Sequence, residues 1–324
     1  MSNDGYSNYN GLQATLTQRV THGLSFTSGY TYSHALDQGS LNRFGSLPQN
    51  SYNVRAEYGN GDLDVRHHFT LTASYDIPGR KGFAQLLEGW KLNTVLTLQS
   101  GLPWGAFDTS NDFALTGPAG GEEVERWDFF GSPKDFGWGG SSSLPYCIPG
   151  DPTSAVSAAN PVGCTVTSGV SGLVTPFSAA QSTAMWNQCT AKGADTAVNG
   201  TLYNDGCYVN GNSVMTPPAT GHFGNMGRNI FRDGGFKDVD FSVFKNFKFT
   251  ERLGAQFRFE VFNLLNAAIV ANPYGAAAGA NLGSDPSGSS TFGCGCSTPD
   301  VGNGNALLGS GSARVMQLGL KLAF

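Results

Sequence analysis

The residues of this chain best equipped for chemistry are six cysteines, at Cys147, Cys164, Cys189, Cys207, Cys294 and Cys296. An even number of thiols in an oxidising compartment reads as disulfides. The first four allow three connectivities, and Cys147–Cys164 with Cys189–Cys207 is the simple local pairing. Cys294-Gly-Cys296 closes a tight ring or pairs elsewhere. Zinc is the competing chemistry, but there is no Cys-x-x-Cys and the nearest histidine is His222. His67 and His68 are adjacent, and neighbours in a strand face opposite ways. Asp62 and Asp64 could lend oxygens to a calcium ion, though solvated turn carboxylates are commoner. No metal and no cofactor is expected. The chain lacks a Gly-x-Ser-x-Gly elbow, a His-Glu-x-x-His pair and a phosphate loop, and the glycines of 221–227 do not sit between a strand and a helix. No enzyme is expected. One stretch is dense in rings: Trp127, Phe129, Phe130, Phe136 and Trp138 fall within thirteen residues from Arg126. Such rings stack on a sugar or close over a ligand; the bland reading makes them the small core of their own loop.

These groups must be held by strands. Apolar residues recur at every second position: Leu12, Ala14, Leu16 and Val20; Leu24, Phe26, Tyr30 and Tyr32; Phe69, Leu71, Ala73, Tyr75 and Ile77. The pattern resumes in Trp90, Leu92, Leu96 and Leu98, in Val239, Phe241 and Val243, and in Leu253, Ala255, Phe257, Phe259 and Val261. It ends in Met316, Leu318, Leu320, Leu322 and Phe324. Alternating side chains point to opposite faces of a strand, so each of seven segments has an apolar and a polar face. Lys91, Asp238, Asp240, Arg258, Glu260 and Lys321 fall on the polar one. Lys245 falls on the apolar one, which sets it at headgroup level beside the turn at Thr250 or in a β-bulge.

Alternation alone also describes a soluble β-sandwich with its apolar face inward. Three features favour a membrane barrel. The segments approach the ~9–11 residues that a tilted strand needs to cross a bilayer. Short connections (21–23, 78–89, 250–252) alternate strictly with long ones (37–62, 102–235, 264–312), and aromatics gather near strand ends. Charged residues are only 13%, against roughly 25% in an average soluble protein. With 45 glycines the chain is poor in helix formers. A net charge of -5 without a basic cluster excludes a phosphate-neutralising nucleic-acid partner. No stretch suits a spanning helix, and Met1-Ser-Asn-Asp-Gly is no export signal, so either the protein is not exported or the true start lies upstream.

Several runs resemble the barrel of TonB-dependent receptors of the Oar-like kind, common in Acidobacteria. They are Ser7-Asn-Tyr-Asn-Gly-Leu-Gln13, His22-Gly-Leu-Ser-Phe26, Tyr30-Thr-Tyr-Ser-His34, Asp64-Val-Arg-His-His-Phe69 and Gln99-Ser-Gly-Leu-Pro103. Gly224-Asn-Met-Gly-Arg-Asn229, the run from Val239 to Phe247 and that from Phe259 to Asn266 fit as well. Their order along the chain carries the resemblance, which omits the interior of the longest loop. The terminal pattern Met316, Leu318, Leu320, Leu322, Phe324 is similar to the signal read by the barrel-assembly machinery. The resemblance implies an all-β transmembrane antiparallel barrel of about 22 strands, of which residues 1–324 supply about seven C-terminal ones, with 102–235 as an extracellular loop insertion. It implies a signal peptide, a plug domain and a TonB contact in an N-terminal part absent here, so the chain is expected to be a fragment. Seven strands would leave two open edges in lipid. The implied setting is the bacterial outer membrane, with loops extracellular and the C-terminus periplasmic. Its partners are membrane lipid, the plug, the TonB complex and an extracellular solute imported by the whole receptor. The six polar-face charges then point into the lumen, toward the plug. The alternative is a secreted, disulfide-bonded β-sandwich that binds carbohydrate or adheres, with Leu318, Leu320 and Phe257 in a dry core.

Overall fold

The computed structural model describes residues 5–39, 48–80, 82, 85–117, 125–137, 143–149, 162–167, 174–232, 234–267, 286–287, 292 and 313–324. Along the chain come β1 (Ser7–Thr21), β2 (Leu24–Asp37), the short β3 (Gly59–Asn60), β4 (His67–Asp76) and β5 (Trp90–Gln99). A run of short elements follows: β6 (Pro103–Trp104), β7 (Asp128–Phe130), β8 (Tyr146–Pro149), β9 (Val162–Thr167) and β10 (Val174–Pro176). Next are α1 (Ala179–Lys192), α2 (Thr201–Asp205), β11 (Cys207–Asn210), β12 (Ser213–Thr216) and β13 (Phe231–Arg232). Three long strands close the chain: β14 (Phe236–Lys248), β15 (Gly254–Phe262) and β16 (Val315–Ala323).

The fold is all-β and antiparallel. All seven expected long strands form, and they lie side by side in chain order, β1-β2-β4-β5-β14-β15-β16, with β3 added beside β2. A meander of this kind puts the three short connections at one end and the three long ones at the other. The β1–β2 turn shows why the sequence folds so tightly there. His22 and Gly23 have φ of 51° and 83°, the pair of positive values that a two-residue type I′ hairpin requires. A Cβ on Gly23 would also lie 2.4 Å from the Asp76 carbonyl oxygen.

In-register pairing gives this wall two unlike faces. One row runs Leu71, Leu96 and Val239, and the next runs Ala73, Thr94, Phe241, Val261 and Met316. Much of the apolar side is bare: Leu12 is 64% exposed, Leu16 61%, Leu318 68%, Leu320 69% and Phe257 41%. This corrects the sandwich alternative, which needs Leu318, Leu320 and Phe257 in a dry core. A monomeric soluble protein rarely leaves so large an apolar patch in water; lipid is its natural solvent. The Thr94 hydroxyl on this face is satisfied internally, as Thr94 Oγ1 donates to Asp240 O at 3.0 Å. Leu318→Arg should therefore cost about 2–4 kcal/mol and lower the yield of folded protein in outer membranes, read as heat-modifiable gel mobility. Gln317→Arg, on the other face, should leave that yield unchanged; equal losses would refute the assignment of faces.

Lys245 interrupts the apolar face without a bulge, since Trp90 and Phe257 pair with it in unbroken register. Its ammonium donates to the carbonyls of Gln85 and Glu88 in the 78–89 connection. It also lies 5.2 Å from the Trp90 ring centroid and 4.8 Å from that of Phe247. Turn carbonyls and two ring faces thus solvate the charge at the short-turn end.

Candidate functional site

Between β5 and β14 the chain leaves the wall and builds a module of its own. Its six-stranded sheet has the order β10-β9-β8-β11-β12-β7. The helix α1 starts at a capping box, in which Ser178 and Gln181 satisfy each other's backbone N–H. Trp186 and Cys189 lie on its inner side. Cys147–Cys164 joins β8 to β9, and Cys189–Cys207 joins α1 to β11. These are the expected local pairs; Cys294 and Cys296 lie outside the described residues. The cystines pack with Val162, Trp186, Leu202, Val209 and Val214.

The ring-dense stretch sits in a second core with Trp104, Tyr208, Met215 and Phe231. Trp127 and Phe136 are completely buried, and Trp127 Nε1 donates to Asp108 Oδ2 at 2.8 Å. Phe129 packs edge-on against Phe136 and Phe231 at 5.2 and 5.0 Å. Trp127 and Phe136 therefore have no face left for a ligand. Phe129 and Phe130 are half-buried, with Lys192 Nζ 5.9 Å over the Phe130 ring. Trp138 lies outside the described residues. The same core holds Glu125, whose carboxylate accepts from Phe113 N at 2.9 Å and Ala114 N at 3.1 Å. Burial, with Asp112 adding repulsion, pushes it from 4.5 up to about 7 against the pull of those two donors. A carboxyl raised in the folded state contributes its full stability below pH 4.5, and loses it as pH rises through about 7. The module's melting temperature, followed by tryptophan fluorescence, should fall across that window by the equivalent of at most about 3 kcal/mol. Glu125→Gln should flatten the dependence; an unchanged slope would discard Glu125 as its source.

Three arginines of the excursion reach acids on the β2–β4 side. Arg126 Nη1 and Nη2 donate to Glu57 at 2.5 and 3.0 Å, both residues buried. Arg228 pairs with Asp37. Arg232 pairs with Asp64 and donates to the carbonyls of Asp64 and Gly101 at 2.9 and 3.0 Å. Asp64 is 1% exposed and also accepts from Ala35 N at 2.7 Å and Arg66 Nε at 2.8 Å. Burial would raise this carboxyl, but the Ala35 N–H and the two guanidinium groups together hold it below the usual carboxylate range. With its oxygens so engaged, Asp64 is a structural anion, which argues against the calcium reading. Between the pairs, Asn60 Nδ2 donates to Asn229 O and Asn229 Nδ2 to Asn60 O, each at 2.9 Å. A Cβ on Gly59 would meet Arg228 O at 2.7 Å, so the two loops touch backbone to backbone. Spacing along the chain could not show this junction, because the partners are 69 to 191 positions apart. A signal was nonetheless present: the runs from Asp64 to Phe69 and from Gly224 to Asn229 border it.

The other candidate surface is the polar side of the wall. Lys91, Asp238, Asp240, Arg258, Glu260 and Lys321 share it by register. Arg258 lies 5.1 Å over the Phe244 ring and donates to Gln256 Oε1 at 2.6 Å. Lys91 Nζ is 3.7 Å from Asp76 Oδ1. These groups offer a charged, hydrogen-bonding surface to whatever the wall encloses. Among the described residues no group of His, Cys, Asp and Glu is arranged to hold a metal ion.

Two comparisons return nothing: neither a curated protein nor a solved structure matches the chain. The family model described as an outer membrane beta barrel domain does match, over residues 1–142 and 154–317. That span takes in six of the wall strands whole, the first three residues of β16 and most of the module. With an alternating wall, a lipid-suited face and long excursions at one end, the chain belongs to the outer membrane β-barrel domain family.

Proposed function

We propose that this chain is the C-terminal barrel portion of a TonB-dependent outer-membrane receptor that imports a scarce solute, and so a transport component and not an enzyme. In this reading the long connections are extracellular and the C-terminus periplasmic. The polar-face charges meet a plug domain carried elsewhere in the full-length protein, the plug contacts the TonB complex, and the terminal Phe324 pattern addresses the barrel-assembly machinery. The observation that carries the reading is the junction itself. Two of the runs resembling Oar-like receptors, one in the β2–β4 connection and one near the end of the module, supply Arg66, Arg228 and Asn229, which converge there as donors to Asn60. The resemblance thus reaches a specific tertiary contact beyond generic strand alternation.

The test is capture from the source bacterium's own outer membrane. Antibodies against the disulfide module should retrieve a polypeptide whose peptides include a plug sequence upstream of Met1, and which crosslinks to TonB. Retrieval of a plug-free polypeptide would leave a passive barrel and end the transport reading.

A further inference from the structure

On β14 the apolar face is bracketed by two lysines. Lys245 stands at the short-turn end and Lys237 eight residues away at the long-loop end, with Val239, Phe241 and Val243 between them on the same face. Eight residues of strand span about 27 Å, and a strand tilted by ~35–45° keeps roughly 20 Å of that as height, close to the ~25 Å of an outer-membrane apolar band. Both ammonium groups therefore sit where hydrocarbon gives way to headgroups. The protein treats them differently. Lys245 is 3% exposed and is solvated by turn carbonyls and aromatic rings. Lys237 is exposed and, among the described residues, has no hydrogen-bonding or ionic partner.

Lys237 is not isolated from other polar groups. It pairs with Leu98, Leu98 with Phe69 and Phe69 with Tyr30, so these four form one row across the apolar face. One step toward the loops, Tyr32 pairs with His67. His67 Nδ1 is hydrogen-bonded to the Tyr30 hydroxyl at 2.9 Å, and its ring lies 5.2 Å from that of Tyr32. That bond fixes the imidazole and leaves Nε2 as its remaining polar atom. Tyr32 and His67 are both exposed, and neither the Tyr32 hydroxyl nor His67 Nε2 has a partner among the described residues. His67 lies two strands and two residues from Lys237, which puts their backbones about 12 Å apart, within the joint reach of a lysine stem, an imidazole and an anion between them. We propose that this border binds the phosphate of a membrane lipid headgroup, with Lys237 supplying the charge and His67 and Tyr32 the hydrogen bonds, while the lipid's chains lie on Phe69 and Leu98. A lipid fits better than a free anion because the polar groups end where the apolar rows begin.

The probe is phosphatidylglycerol doped into vesicles of the phosphate-free lipid digalactosyldiacylglycerol, with the native protein reconstituted and retained lipid counted by native mass spectrometry. Wild type should retain phosphatidylglycerol over the glycolipid. Lys237→Ala should weaken retention about fivefold, as expected for one surface lysine, and Lys237→Arg should restore it. Lys248→Ala, at the opposite end, should change nothing. If Lys237→Ala fails to assemble, His67→Ala gives a second reading of the same loss. Retention unaffected by both variants would overturn the proposal. So would displacement by inorganic phosphate as readily as by lipid, which would mark a soluble-anion site.

Discussion

Asp64→Ala should detach the disulfide module from the wall. The substitution removes one carboxylate and takes the anionic partner from three donors at once: the Ala35 N–H, Arg66 Nε and Arg232 Nη2. Removing one partner of a buried ion pair costs about 3–5 kcal/mol, because the remaining charge is left uncompensated. Arg66 and Arg232 are about 30% exposed at their side chains and regain some hydration, which places the effect near the lower figure. The readout is limited proteolysis of reconstituted protein. Cleavage should appear in 101–104 and 229–235 while the strands stay protected. Asp64→Asn, which keeps the shape and loses the charge, should fall between. A carboxyl held low in the fold stabilises above its unfolded value and loses that contribution as pH falls through its folded value. Wild type should therefore show the same cleavage only in strong acid. Protease resistance of Asp64→Ala equal to wild type would mean that Glu57–Arg126 and Asp37–Arg228 suffice.

Loss of the cystines should unfold the module from within. Each bridge closes a segment of 17 or 18 positions, for which the chain-entropy estimate is about 3 kcal/mol. The four sulfurs are buried in one cluster with Trp186, so the double replacement Cys189→Ala/Cys207→Ala also leaves a void where α1 meets β11. The tryptophan fluorescence midpoint should drop by roughly 10 °C, while the strand circular dichroism of the wall keeps its own transition. Loss of both signals at one temperature would show that wall and module unfold as a single unit.

What the sequence discloses follows from the length of each pattern. Seven wall strands of 9 to 15 residues repeat the apolar–polar alternation often enough to be read, down to the faces of Arg258, Glu260 and Lys321. The module's strands carry no such signal. β12, Ser213–Thr216, is buried at all four positions, and β11 at three of four, so polar and apolar residues lie inside alike. The helix α1 escaped notice because Ser, Thr, Asn and Gln dilute its apolar side, though Ser178 and Gln181 were a legible cap. The aromatic stretch supported two readings, since ring density is the same in a binding patch and in a core; only the packing of Trp127 and Phe136 distinguishes them. Parity set Lys245 on the apolar face, and the nearness of the turn at Thr250 set it at headgroup level, with a β-bulge as the alternative. Its carbonyl partners lie some 160 positions away and belong to no motif.

The module's point of attachment has a thermodynamic consequence. The chain departs at Gln99 and returns at Phe236, and these two residues are direct partners in the wall. Just beyond them β6 and β13 pair Pro103 with Arg232 and Trp104 with Phe231. The ends of a very long excursion are thus no farther apart than those of a tight hairpin. Loop-closure entropy grows by only about 0.6 kcal/mol for each doubling of length, and the paired foot fixes the ends before the rest of the excursion begins. The wall's register is consequently insensitive to the size of what stands on it. The head can lengthen, shorten or change its fold while the strands beneath keep their partners.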